Sequence, residues 1–171
     1  MNSIILDADG LIKLGKIGLL SSLSRRYDCI ISEQVFKEAI KEGKKYFHED
    51  AFTLENYINQ GIIKVVKTKP NFKAKKLLQK AYSLGEGEKS TLHLFYDQNA
   101  LGIVSDDMAF LNLLDKHNIP YFTPANLISK LVELKKISKQ EGLTTLEKLR
   151  PYIRDSIYSL VKKEMEVKQD E

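Results

Sequence analysis

Ile4-Ile5-Leu6-Asp7-Ala8-Asp9-Gly10 is the stretch on which the fold turns. A short apolar run reads as a buried strand, and it is cut off abruptly by an acid. Gly10 to Leu14 then opens a helix, and Ile17, Leu19, Leu20 and Leu23 add a second apolar patch. The same alternation recurs outward along the chain. Cys29-Ile30-Ile31 reads as a strand, with Ser32 as N-cap of a helix whose stripe is Val35, Phe36, Ala39 and Ile40. Gly43 is expected to end that helix, and another runs from about Glu49 to Gln60 and stops at Gly61. Ile62 to Val66 is rich in β-branched residues and reads as a strand. Leu101-Gly102-Ile103-Val104 is another, ending at Ser105-Asp106-Asp107, and Pro120-Tyr121-Phe122 is a short edge strand.

Helices fill the gaps between these strands. Pro70 is expected to open a basic helix through Tyr82, and a further helix spans about Glu88 to Asp97. Phe110, Leu111, Leu113 and Leu114 mark one that stops at Asn118, and Pro124 opens the next, to about Lys135. Ser83 with Glu86, Ser138 with Glu141 and Thr144 with Glu147 each have capping-box spacing. Pro151 is expected to begin a last helix to about Glu166, with Val167 to Glu171 frayed. Strands alternating with helices imply a three-layer α/β/α domain with a mainly parallel central sheet and a C-terminal helical extension. The expected division is a core domain over 1–137 and an extension of the same domain over 138–171.

Composition narrows the classes. The chain has 171 residues, 43% hydrophobic and 29% charged. That excludes a mainly disordered chain, and one cysteine excludes a disulfide scaffold. Cys29 lies in an apolar run and reads as a core thiol. No apolar run is long enough to span a bilayer. Asp7 and Asp9 interrupt the apolar N-terminal stretch and no basic segment precedes it, so the expected location is cytoplasmic. The net charge of +4 is uneven: residues 37–80 carry +6 and residues 81–129 carry −4. A cationic face attracts phosphate backbones, and a carboxylate cluster attracts divalent metal.

In parallel sheets the ligand site lies outside the carboxyl ends of the strands. Asp7 directly follows the first strand and would project into that crevice; Asp9 suits a helix-capping role better than Asp7 does. Glu38 sits at the edge of its helix's buried stripe, where it faces either the cleft or a surface lysine. Glu88 shares a helical face with Leu92 and Phe95 and should turn inward, whereas Glu86 points outward. Asp106 and Asp107 follow a strand and, being adjacent, point in different directions, so one of them should dominate. Converging carboxylates repel, and a hard divalent cation resolves the conflict. Oxygen ligands alone favour magnesium or manganese over zinc. His48, His93 and His117 match no zinc spacing, and the chain has no phosphate-binding loop, dinucleotide fingerprint or serine-hydrolase elbow.

Taken together, Ile5-Leu6-Asp7-Ala8-Asp9-Gly10-Leu11-Ile12, the helix with Glu38, Leu84-Gly85-Glu86-Gly87-Glu88 and Val104-Ser105-Asp106-Asp107 resemble the PIN domain over roughly residues 3–135. The Leu-Gly-Glu-Gly-Glu turn is most similar to a prokaryotic subgroup near the VapC-type toxins. The resemblance implies a metal-dependent ribonuclease and a catalytic set of Asp7, Glu38, Glu88 and Asp107. It implies Asp7, Glu88, Asp106 and Asp107 as the ligand set for Mg2+ or Mn2+. It also implies an RNA substrate, a homodimer and a cognate antitoxin protein. Lys73, Lys75, Lys76 and Lys80 are expected to hold the RNA backbone without reading bases. Asp9 stands where the family often has Ser, Thr or Asn, and Glu88 where it often has Asp. Two alternatives remain at this point. Leu6-Asp7-Ala8-Asp9-Gly10 also resembles the first motif of haloacid-dehalogenase-like phosphomonoesterases, with Asp7 as nucleophile, Asp9 as acid/base and Glu38 and Glu88 idle. A catalytically inactive binding module is the other.

Overall fold

Residues 1–46, 48–81 and 83–167 are described by the computed structural model. The first strand, β1 (Ser3–Leu6), is buried at Ile4, Ile5 and Leu6. It delivers the chain into α1 (Ala8–Lys16) and the short α2 (Leu20–Ser24). β2 (Asp28–Ser32) follows and runs parallel to β1, with Ile4 opposite Cys29. Cys29 is 1% exposed, as a core thiol should be, and burial pushes its pKa up to about 12.

Ser32 caps α3 (Glu33–Phe36), accepting from Val35 N–H at 3.0 Å. The helix does not end at Gly43. It widens into a π-helical turn over Lys37–Glu42 and resumes as α4 (Gly43–Lys45). Such a turn carries one residue more than α-helical winding allows, and apolar spacing alone does not reveal it. α5 (Glu49–Asn59) then ends before Gly61, whose φ of +72° is the left-handed turn a glycine accepts. β3 (Ile63–Val66) pairs in parallel with β2.

The basic helix is shorter than its lysines suggest. α6 (Phe72–Leu78) starts after Asn71, whose side chain accepts from Lys73 N–H at 2.9 Å, so Pro70 lies outside it. Its expected end at Tyr82 lies outside the described residues. α7 (Glu86–Asp97) begins two residues earlier than expected. Its N-cap is Gly85, so the Ser83–Glu86 capping box does not form. β4 (Ile103–Val104) lies beside β1 in parallel, and α8 (Met108–Lys116) and β5 (Tyr121–Phe122) follow. The sheet order is β3-β2-β1-β4-β5. The crossover helices follow from that order, because parallel neighbours cannot be joined by tight turns. Ile5, Ile30, Leu92, Leu94, Ile103, Phe110 and Leu114 share one hydrophobic cluster against the sheet. The three-layer α/β expectation is therefore met.

The chain forms two compact units, 1–121 and 122–171. The second unit holds α9 (Pro124–Glu133), α10 (Lys139–Leu149) and α11 (Asp155–Val167), which pack on one another. A side chain at Gly142 would strike Val132 and Met165, so glycine lets the three helices close up. The Ser138–Glu141 capping box is present. The Thr144–Glu147 pair is not one, because both residues lie inside α10. Pro151 belongs to a 3-10 turn, Arg150–Tyr152, rather than opening α11, and the tail from Lys168 lies outside the described residues. No helix among the described residues is long and apolar enough to cross a membrane.

Candidate active site

The carboxyl ends of β1 and β4 lie side by side, and each passes directly into a helix through an aspartate. Asp7 caps α1, its Oδ1 accepting from Gly10 N–H at 2.7 Å. Asp107 caps α8, accepting from Phe110 N–H at 2.8 Å. Capping and cleft-facing are thus not alternatives at Asp7, and Asp9, half exposed, lies in the first turn of α1 rather than capping it. Gly10 is tied to this arrangement. A Cβ there would meet the Val104 backbone carbonyl, so only glycine lets α1 approach β4 this closely.

Glu38 comes from the π-helical turn, where its Oε1 accepts from Gln34 Nε2 at 2.8 Å. Glu88 comes from the first turn of α7. Both glutamates fold against glycines of the Leu-Gly-Glu-Gly-Glu turn. A Cβ on Gly87 would strike the Glu38 carboxylate, and one on Gly85 would come within 2.7 Å of the Glu88 carboxylate. Asp7, Asp9, Glu38, Glu88 and Asp107 line one cavity of about 180 Å³, with Ala8, Ile12 and Gly87 completing its wall.

Of the two adjacent acids, Asp107 lines this cavity. Asp106 is paired with Lys13, which also lies 3.7 Å from Asp9. Glu86 is exposed and paired with Lys89 at 2.7 Å. Lys73, Lys75, Lys76 and Lys80 are exposed on or just past α6, and none lines the acid cavity. Lys73 lies over the Tyr96 ring at 6.0 Å. Sequence reasoning missed Gln34, Ser105 in its hydrogen-bonding role, and Gly87. The signal available was a serine at a strand end and a glycine between two glutamates.

Asp7 is 3% exposed. Burial is the main cause that raises its pKa from 3.8 to about 7. Hydrogen bonds from Ser105 and Gly10 oppose the rise, while the charges of Asp9 and Glu88 add to it. Ser105 is fully buried, and its Oγ also accepts from Asp107 N–H at 3.1 Å, so one hydroxyl braces both aspartates.

No group of three or more His, Cys, Asp or Glu side chains among the described residues is arranged, as it stands, to hold a metal ion. The donor chemistry nevertheless suits a hard divalent cation. The donors are all carboxylate oxygens, and burial and neighbouring acids both oppose the charge on Asp7. The Glu38 and Glu88 carboxylates lie close against Gly87 and Gly85 and line the same cavity as Asp7 and Asp107.

A family model described as a PIN domain matches residues 3–167, and the chain belongs to that family. The match includes α9, α10 and all of α11, so the helical extension is part of the family pattern. PIN domains are a nuclease family whose members generally use divalent metal ions. No curated protein and no solved structure matches the chain.

Proposed function

We propose that this protein is a Mg2+- or Mn2+-dependent ribonuclease that hydrolyses phosphodiester bonds in single-stranded RNA at the acid cleft. The observation that carries the reading is the convergence of Asp7, Glu38, Glu88 and Asp107, from four separate elements, on one cavity at the carboxyl edge of the sheet. Asp7, Glu88 and Asp107 would hold the ion, with Glu38 beside them. A bound ion would bring Lewis-acid activation of water and of the scissile phosphate. Ser105 holds Asp7 and Asp107 in register, and Gln34 orients Glu38. No covalent nucleophile is required. The convergence of Glu38 and Glu88 with Asp7 also favours this reading over a phosphomonoesterase, in which both glutamates would be idle.

We extend the proposal to a cytoplasmic toxin that acts as a homodimer and is blocked by an antitoxin segment entering the same cleft. The deciding assay gives the protein, with manganese, a labelled RNA pool and p-nitrophenyl phosphate in parallel. RNA cleavage that disappears in Asp7→Asn is the expected result. Monoester turnover with the RNA intact would overturn the proposal, and inactivity on both would leave a binding module.

A further inference from the structure

The carboxyl edge of the sheet carries a second, open cavity of about 660 Å³ next to the acid cleft. Lys37 and Lys41 reach it from the π-helical turn, Lys67 and Thr68 from the end of β3, Phe36 from α3 and Ser90 from α7. The two cavities share a wall. Gln34 lines the cationic one and donates to Glu38, which lines the acidic one. Ser90 lines the cationic one and donates to the carbonyl of Gly87, which lines the acidic one. The sheet order explains the adjacency, since β3 and β2 lie next to β1 and all three point the same way.

The lysines of this cavity, like those of α6, differ from several others on the same unit. Lys13, Lys16, Lys44, Lys64 and Lys89 each pair with a carboxylate. Lys37, Lys41 and Lys67 form no ion pair among the described residues, and Glu33 is the one acid in the lining. Lys41 lies over the Phe36 ring at 5.5 Å. Thr68 Oγ1 is buried with no hydrogen-bond partner among the described residues. Three unneutralised cations and an unused hydroxyl make a receptor for a chain of phosphates. Phe36 adds an aromatic face of the kind on which a base stacks.

We propose that this cavity holds the phosphate backbone of the RNA strand on one side of the scissile bond, so that the strand runs from the acid cleft across β2 to the end of β3. The inference rests on the nuclease reading. It places the anchoring cations on Lys37, Lys41 and Lys67 rather than on α6.

The test measures binding of a fluorescein-labelled, single-stranded oligouridine by anisotropy across a salt series, in an Asp7→Asn background that prevents cleavage. Combining Lys37→Ala, Lys41→Ala and Lys67→Ala should weaken binding and reduce the salt slope by about 2, at roughly 0.7 per phosphate contact on a single strand. All three side chains are exposed, so an unchanged thermal melt is the check that the fold is intact. An unchanged slope and affinity would overturn the proposal. So would a loss confined to a Lys73→Ala, Lys75→Ala, Lys76→Ala variant, which would put the strand on α6. Manganese-dependent hydrolysis of bis(p-nitrophenyl) phosphate by the parent protein reports on the acid cleft alone. Failure there counts against the nuclease reading, while the anisotropy result still decides the cavity.

Discussion

Asp7 is the residue at which folding and function pull hardest against each other. Burial raises its pKa from 3.8 to about 7, so between those values the folded chain holds a proton that the unfolded chain has released. Stability from this group is therefore complete below about pH 4 and falls as pH rises towards 7. Thermal melts of the metal-free protein should show that decline, and Asp7→Asn should flatten it while keeping an oxygen to cap α1. A wild-type profile that is flat between pH 4 and 7 would contradict the burial argument. Two glycines make a second prediction at this scale. Gly10→Ala forces a methyl against the Val104 backbone and should cost about 1–3 kcal/mol. Gly87→Ala meets only the mobile end of Glu38, in a helix where alanine is favoured by about 1 kcal/mol. It should leave the melting temperature level or higher and yet reduce RNA cleavage by displacing that carboxylate. Equal melting penalties in the two variants would refute the distinction.

At the scale of elements, the site is built from helix beginnings. α1 and α8 start on Asp7 and Asp107, and Glu88 sits in the first turn of α7, where the helix dipole favours negative charge. Asp107→Asn should keep the cap and remove the charge. Asp107→Ala should also lose the cap, at about 1 kcal/mol. Chemical denaturation should thus separate the two variants while cleavage assays find both inactive. This double duty explains what the sequence could and could not disclose. The strand–acid junctions at Leu6-Asp7 and Val104-Ser105-Asp106-Asp107 were legible, because a short apolar run that ends on a carboxylate has few other meanings. The choice between Asp106 and Asp107 was not, since it depends on Lys13 arriving from α1 to pair with Asp106. Glu38 was ambiguous for a different reason. Its direction is set by the π-helical turn, and one extra residue in the winding leaves no periodic mark in so short a helix. α6 ends at Leu78 although Lys80 continues the basic run, because charge does not mark the point where the backbone stops being helical.

For the whole molecule, the acid cleft and the cationic cavity set groups of opposite charge next to each other along one edge of the sheet. An ion that fills the acid cleft should stabilise the folded chain by mass action. At roughly 100 times its dissociation constant, manganese should add about 2.7 kcal/mol. The midpoint of thermal unfolding at pH 8 should rise by several degrees, and the rise should be absent when Asp7→Asn and Asp107→Asn are combined. An equal shift in that double variant would place the metal elsewhere.

Cys29, the one sulfhydryl in the chain, is closed off in β2 and has a pKa near 12. The native protein is accordingly blind to maleimides and to Ellman's reagent at neutral pH, because only the thiolate reacts and almost none forms. A cysteine introduced at an exposed position would then be the sole reactive handle. The protein can carry a single dye at a chosen site without first being stripped of its own cysteine, and distances from that dye to a labelled oligonucleotide could be read by energy transfer in the unaltered core.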